Sequence, residues 1–195
     1  MRHYEGIVIG SSAGGLRALL ILIKDLPRDF PLPIIIVQHL LDGNDSFLAE
    51  FLNEKAKITV KEADDKEPIQ KGIVYIAPPG YHLLIEDDLT LSLSMDPRVN
   101  FSRPSIDVLF ESAAFVYEER CIGIILTGAS SDGSQGLKKI KTKGGLTLVQ
   151  DPETAEYSTM PRSAIQTSAV DHISTIEEIA DFLNSFVGGD SWKAL

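Results

Sequence analysis

The sequence predicts an α/β protein: a three-layer α/β/α, doubly wound domain on a mostly parallel sheet, with a small antiparallel hairpin. Three observations predict it. The runs Gly6–Ile9, Ile34–Val37 and Ile122–Leu126 are continuously apolar, as in strands covered on both faces of a parallel sheet. Each is followed by a turn and then a helical pattern, the alternation of layered α/β folds. Between them, the middle of the chain breaks into short strand-like segments around an acidic turn.

The elements follow in order. After the first strand comes a Gly/Ser turn over residues 10–15, then a helix from about Leu16 to Lys24. Leu16, Leu19, Leu20 and Ile23 give it one apolar face at i, i+3, i+4, i+7. Pro27, Pro31 and Pro33 end it. The strand Ile34–Val37 leads through the loop Asp42-Gly43-Asn44-Asp45 to a helix over Phe47–Lys55. Residues 58–61, 72–77, 82–86 and 89–94 read as short strands of an antiparallel insertion, with Glu86-Asp87-Asp88 as a hairpin turn. A helix near Pro104–Val116 has proline in its first turn. The strand Ile122–Leu126, a helix over 134–142 and a strand Leu146–Val149 come next. A last helix runs from Ile176 to Val187 and stops at Gly188-Gly189. Residues 1–189 read as one domain without repeat or linker, and 190–195 as a frayed tail.

Composition narrows the function. The chain has 195 residues, with 18 Lys+Arg against 28 Asp+Glu, a net charge of −10. Nucleic acid is not an expected partner, since no basic footprint exists. An acidic body gains nothing from an anionic membrane surface. The longest apolar runs, Ala18–Ile23 and Ile34–Val37, are too short for a span, and no signal sequence is visible. Cys121 is the single cysteine, so no internal disulfide forms. A soluble, cytoplasmic protein without direct membrane insertion is expected.

In open α/β sheets, ligands bind beyond the carboxyl ends of the strands. Three turns there carry chemistry. After the first strand lies Gly10-Ser11-Ser12-Ala13-Gly14-Gly15, which contains Gly-x-Ser-x-Gly. It fails as a dinucleotide fingerprint, because Ser12 stands where glycine is needed, and as a P-loop, because Leu16-Arg17 follows Gly15. It can hold a serine at a sharp strand-to-helix corner, or be a plain glycine-rich turn. After the second strand lies His39, either a base or a core histidine. After Ile122–Leu126 lies Thr127-Gly128-Ala129-Ser130-Ser131-Asp132-Gly133, where Asp132 is an orienting carboxylate or an ordinary helix cap. Hydroxyl, imidazole and carboxylate are the parts of a nucleophile–base–orienter set. His3, near the terminus, His82, entering a hairpin, and His172, before the last helix, fit the base role less well. The order Ser, His, Asp on a first-strand elbow also departs from the α/β-hydrolase fold, whose order is Ser, Asp/Glu, His.

These residues resemble a known family. Ile9 to Gly15, Val37-Gln38-His39 and Leu126-Thr127-Gly128 with Asp132-Gly133 are similar to the catalytic domain of the bacterial chemotaxis protein-glutamate methylesterases, the CheB family. Ala77-Pro78-Pro79-Gly80-x-His82, Arg103 to Phe110, Gln150 to Glu153 and Met160-Pro161-Arg162 agree too, so the likeness spans residues 5–187. The resemblance implies hydrolysis of γ-glutamyl methyl esters on chemoreceptor signalling helices, and deamidation of certain receptor glutamines. It implies Ser12 as nucleophile, His39 as base and Asp132 as orienting carboxylate, with no cofactor and no metal. The backbone N–H near Ala13 is the candidate oxyanion donor. Ala13, Ala129 and Ser131 depart from the family's frequent Thr, Met and Asn. The familiar enzyme also carries an N-terminal receiver domain, whereas this chain opens on the first strand of the catalytic domain, so the expected forms are a stand-alone paralogue, a shortened chain, or part of a system regulated otherwise. Arg98, Arg103 and Arg162 are candidates to line the cleft for an acidic substrate. An esterase or amidase with another substrate, and a non-catalytic partner-binding paralogue, remain as alternatives.

Overall fold

The computed structural model describes residues 3–39 and 47–187. The loop expected at 42–45, the Gly188-Gly189 stop and the tail 190–195 lie outside the described residues. Seven strands form one sheet: β1 (Gly6–Ser11), β2 (Ile34–Gln38), β3 (Thr59–Glu62), β4 (Ile73–Ile76), β7 (Cys121–Ile125), β8 (Leu146–Gln150) and β9 (His172–Ser174). Their spatial order is β3-β4-β2-β1-β7-β8-β9, and every pairing is parallel. The chain winds outward from β1 in one direction, then returns beside β1 with β7 and winds the other way. The boundary between β1 and β7 is therefore the topological switch point, where such sheets open a crevice.

β5 (His82–Ile85) and β6 (Leu91–Ser94) form a separate antiparallel hairpin. This corrects one expectation. Of the four middle segments, only the last two are antiparallel, and β3 and β4 extend the parallel sheet. Short strands of alternating polarity look alike in either setting, because an edge strand such as β3 need not be apolar on both faces.

Helices cover both faces. α1 (Gly15–Ile23), α2 (Phe47–Lys55) and α6 (Ile176–Asn184) bury one apolar set against Ile7, Ile9, Ile34 and Ile36. α3 (Ile106–Tyr117), α4 (Ser134–Thr142), α5 (Thr159–Gln166) and the hairpin cover the other, against Val8, Ile35, Val37 and Val149. The period-2 alternation of β1 and β2 explains why both faces are apolar. α6 begins with a capping box between Thr175 and Glu178 and ends at Asn184, three residues short of the expected stop. α5 and β9 are additional elements that the sequence pattern does not announce.

α3 lies unusually close to β1. A Cβ on Gly10 would sit 2.3 Å from Ile106 Cγ2, and one on Gly6 would sit 2.4 Å from the Tyr117 ring. Ile106 and Tyr117 are the first and last residues of α3, so the helix runs antiparallel to β1 along its length. Its N-terminus consequently arrives at the carboxyl end of β1. Pro104 stands before the helix rather than in its first turn, joined to Arg103 by a cis bond, and Ser105 is the N-cap.

Candidate active site

Strand register brings the first two residues together. Ser11 pairs with Gln38 across β1 and β2, so the next residues, Ser12 and His39, leave the two strands side by side. Gly10 pairs with Ile125 on the other side, which sets Thr127 opposite Ser12. Main-chain bonds lock these ends: Ser12 N–H donates to Thr127 O at 3.0 Å, and His39 N–H to Ser11 O at 2.9 Å.

Gln38 adds a buried bracket. Its amide donates to Ser12 O at 2.8 Å and to His39 O at 2.7 Å, while its Oε1 accepts the Ser11 hydroxyl at 2.6 Å. A Cβ on Gly15 would fall 1.9 Å from that Oε1, so glycine at the start of α1 is what admits the amide. On the other side, Gly128 admits Ser12: a Cβ there would lie 2.9 Å from Ser12 Cβ and 2.8 Å from the Met160 thioether.

Asp132 is fully buried and gathers five donors. His39 Nε2 lies 2.9 Å from its Oδ2, and the Ile106 N–H donates to the same oxygen at 2.7 Å. Its Oδ1 accepts from the Asn100 amide and the Ser105 hydroxyl, both at 2.9 Å, and from the Asp107 N–H at 3.2 Å. Asp132 does not cap α4, the helix that follows it, where Gly133 holds the cap position with left-handed backbone. It caps α3 across space, at the positive end of that helix. Burial works to raise its pKa, yet the bonds from His39, Asn100 and Ile106 outweigh burial and hold the carboxyl below the usual range.

The remaining geometry suits acyl chemistry. Ser12 is half-buried, and among the described residues no hydrogen bond ties its hydroxyl. The ring of His39 turns Nε2 to Asp132, which leaves Nδ1 as the proton-accepting nitrogen. Ala13 is held through its carbonyl, which accepts the Thr127 hydroxyl at 2.9 Å, and Gly14 follows at φ 75° before α1 begins. The Ala13 N–H thus stays available at a helix N-terminus.

Several participants were not legible as site residues. Gln38, Asn100, Ser105 and Asp107 all bond to the set above, and their signal is being polar in or beside apolar runs. His82 is buried; its Nδ1 accepts the Ser105 N–H at 3.2 Å and its Nε2 donates to Pro97 O at 3.1 Å, so it fixes the N-cap of α3. Each of the three arginines has bonded partners. Arg103 donates to Met95 O and Asp96 O, Arg98 to Phe101 O, and Arg162 pairs with Glu153 at 2.6 Å. Among the described residues no group of three or more His, Cys, Asp or Glu is arranged to hold a metal ion, and no helix is long and apolar enough to cross a membrane.

A family profile described as CheB methylesterase matches residues 7–183. The chain belongs to the CheB methylesterase family. A Leptospira interrogans protein, provisionally named a protein-glutamate methylesterase/protein-glutamine glutaminase, is 56% identical over 179 residues, which are 92% of this chain and 93% of that protein. A protein-glutamate methylesterase/protein-glutamine glutaminase of Anaeromyxobacter dehalogenans is 44% identical over 90% of this chain, which spans 51% of that relative's length. The crystal structure of the Thermotoga maritima CheB methylesterase catalytic domain superposes with a TM-score of 0.90 at 36% identity, covering 95% of this chain and all of that one. The fold and the hydrolase family expected from the sequence are therefore those of a CheB catalytic domain.

Proposed function

We propose that this CheB-family chain is a protein-glutamate methylesterase acting in the cytoplasm on the signalling helices of methyl-accepting chemoreceptors. Ser12 is its nucleophile, His39 its base and Asp132 its orienting carboxylate. The observation that carries the reading is the 2.9 Å contact between His39 and the buried, donor-rich Asp132, in register beside Ser12.

The chemistry follows from the groups. A serine hydroxyl is a weak nucleophile until a base takes its proton. His39 Nδ1 accepts that proton as Ser12 Oγ attacks the ester carbonyl. Asp132 fixes the ring and offsets the imidazolium charge. The Ala13 N–H, at the start of α1, stabilises the oxyanion of the tetrahedral intermediate. As the C–O bond to methoxide breaks, His39 returns the proton and methanol departs, leaving an acyl-Ser12 ester. Water attacks that ester by the same route and releases the glutamate side chain and free Ser12. A glutamine substrate follows the same path with ammonia as the leaving group.

A protein substrate agrees with the rim. Phe101 is 95% exposed, and Met95 and Tyr157 are exposed as well, so these side chains gain little from folding and can meet an apolar helix face. The test is methanol release from a methylated receptor cytoplasmic fragment. Wild type is expected to release it and Ser12→Ala to lose at least about 10⁴-fold. A folded wild type that hydrolyses simple esters but not this fragment would favour a different ester or amide substrate.

A further inference from the structure

We propose that Asn100 is a positioning residue for the reaction: its side-chain amide is clamped between two buried carboxylates, and so fixes Asp132 toward His39. The proposal rests on the triad reading above.

Asn100 spends both amide hydrogens on acids. Nδ2 donates to Asp107 Oδ2 at 2.7 Å and to Asp132 Oδ1 at 2.9 Å. Neither acceptor can be exchanged for a donor while both acids are ionised, so the amide has one orientation. Asp107 is itself anchored, since its Oδ1 accepts the Gly136 N–H at the start of α4. The clamp therefore joins the turn before α3, the first turn of α3 and the first turn of α4 to one oxygen of Asp132. That oxygen is not the one facing His39, so Asn100 sets the plane of the carboxylate without competing for the imidazole.

The backbone is shaped for this task. Asn100 and Phe101 both have positive φ, 49° and 64°, in a tight turn closed by paired bonds between Val99 and Ser102. Two consecutive left-handed residues form a hairpin turn that asparagine tolerates and phenylalanine does not favour. The turn brings Asn100 back over the start of α3. A groove of about 480 Å³ reaches Asn100 and Asp107 from solvent, with Ser131 and Lys138 on its wall, and Asp132 lies buried behind them. The amide thus stands between water and the orienting carboxylate.

The charged and titratable groups facing Asp132 are His39, after β2, and Asp107, on α3. Removing the amide takes a donor from Asp132 and leaves Asp107 as an unbridged like charge. The His39–Asp132 pair then takes up a proton more readily, and the acid limb of activity moves to higher pH.

Two variants test this. Asn100→Gly keeps the left-handed backbone and deletes the amide, and Asn100→Asp keeps the shape but replaces donors with an acceptor. Both are read by methanol release and by the rate at which a fluorophosphonate labels Ser12, which needs no receptor. Labelling by wild type in the absence of methanol release would fault the substrate reading and leave this proposal standing. Expected are a 10- to 100-fold loss of kcat and of labelling rate with KM nearly unchanged. The acid limb should move up in pH, and Asn100→Asp should be at least as impaired as Asn100→Gly at pH 8. Should Asn100→Gly melt early, Asn100→Asp decides alone, because it keeps the side-chain shape while turning a third acceptor toward Asp107 and Asp132. Rates within two-fold of wild type in both Asn100 variants, or a loss with an unmoved acid limb, would overturn the proposal.

Discussion

Asp132 has no solvent contact, yet its bonds hold it in the charged form. Its folded pKa is depressed, so it stabilises the fold at neutral pH, and that contribution is lost as pH falls through the folded value, below the ordinary carboxylate pKa of about 3.9. Asp132→Asn should therefore flatten the acid side of the Tm–pH curve as well as lower kcat by about 10³–10⁴-fold. Thermal melts between pH 3 and 7 check the first, and methanol release the second. Asp107 is the opposite case: burial, with the Asp132 charge adding to it, outweighs the Gly136 bond and raises its pKa. Gly128 makes a separate residue-scale prediction. Ser12 is held by its N–H bond to Thr127, so a Cβ at 128 displaces either Met160 or Ser12. Gly128→Ala should cost about 10- to 100-fold in kcat, since displacements near 1 Å have that effect. Unchanged kcat would show that the Met160 side chain yields instead.

At the scale of elements, α3 decides where the site forms. Gly6 and Gly10 let it lie against β1, and only that approach delivers Ser105, Ile106 and Asp107 to Asp132. The two glycines separate stability from function. Gly10→Ala drives Ile106 away at the end that meets Asp132 and should lower both Tm and activity. Gly6→Ala drives Tyr117 away at the far end and should lower Tm alone. Each overpacking is expected to cost about 1–3 kcal/mol. Denaturant melts paired with fluorophosphonate labelling of both variants would show the split, or its absence. The apolar pattern of α3 was readable, and so were its bounds to within two residues. Its partner strand was not, because residue spacing along one helix carries no information about which strand it crosses. α5 and β9 escaped for local reasons: α5 opens on Met160-Pro161 and is largely polar, and β9 is a three-residue edge strand with Ile173 exposed.

For the whole molecule, charge sets an expectation. The protein carries −10, and its proposed substrate is a glutamate-rich helix. Long-range encounter is then repulsive: Arg162 is paired with Glu153, and Arg98 and Arg103, bonded to neutral carbonyls, keep their charge but do not reverse the sum. Raising salt from 20 to about 300 mM shortens the screening length toward 6 Å and should raise kcat/KM for the receptor fragment. A small neutral ester should show no such rise, and equal responses from both substrates would remove the electrostatic account.

By itself, the sequence determined the layered α/β architecture and the hairpin at Glu86-Asp87-Asp88, and it named Ser12, His39 and Asp132 as candidates. Each is written locally, as an apolar run, a turn composition, or a reactive group just past a strand end. Only the tertiary structure decided that β3 and β4 run parallel in the main sheet, that Gln38 brackets Ser12 and His39, and that Asp132 caps α3 rather than α4. Those facts depend on which segments meet across 26 to 93 positions of chain, as in the Gln38–Ser12 and His39–Asp132 contacts. A side chain's partner in such contacts is set by packing in three dimensions, where buried polar atoms must find donors and acceptors wherever the fold places them.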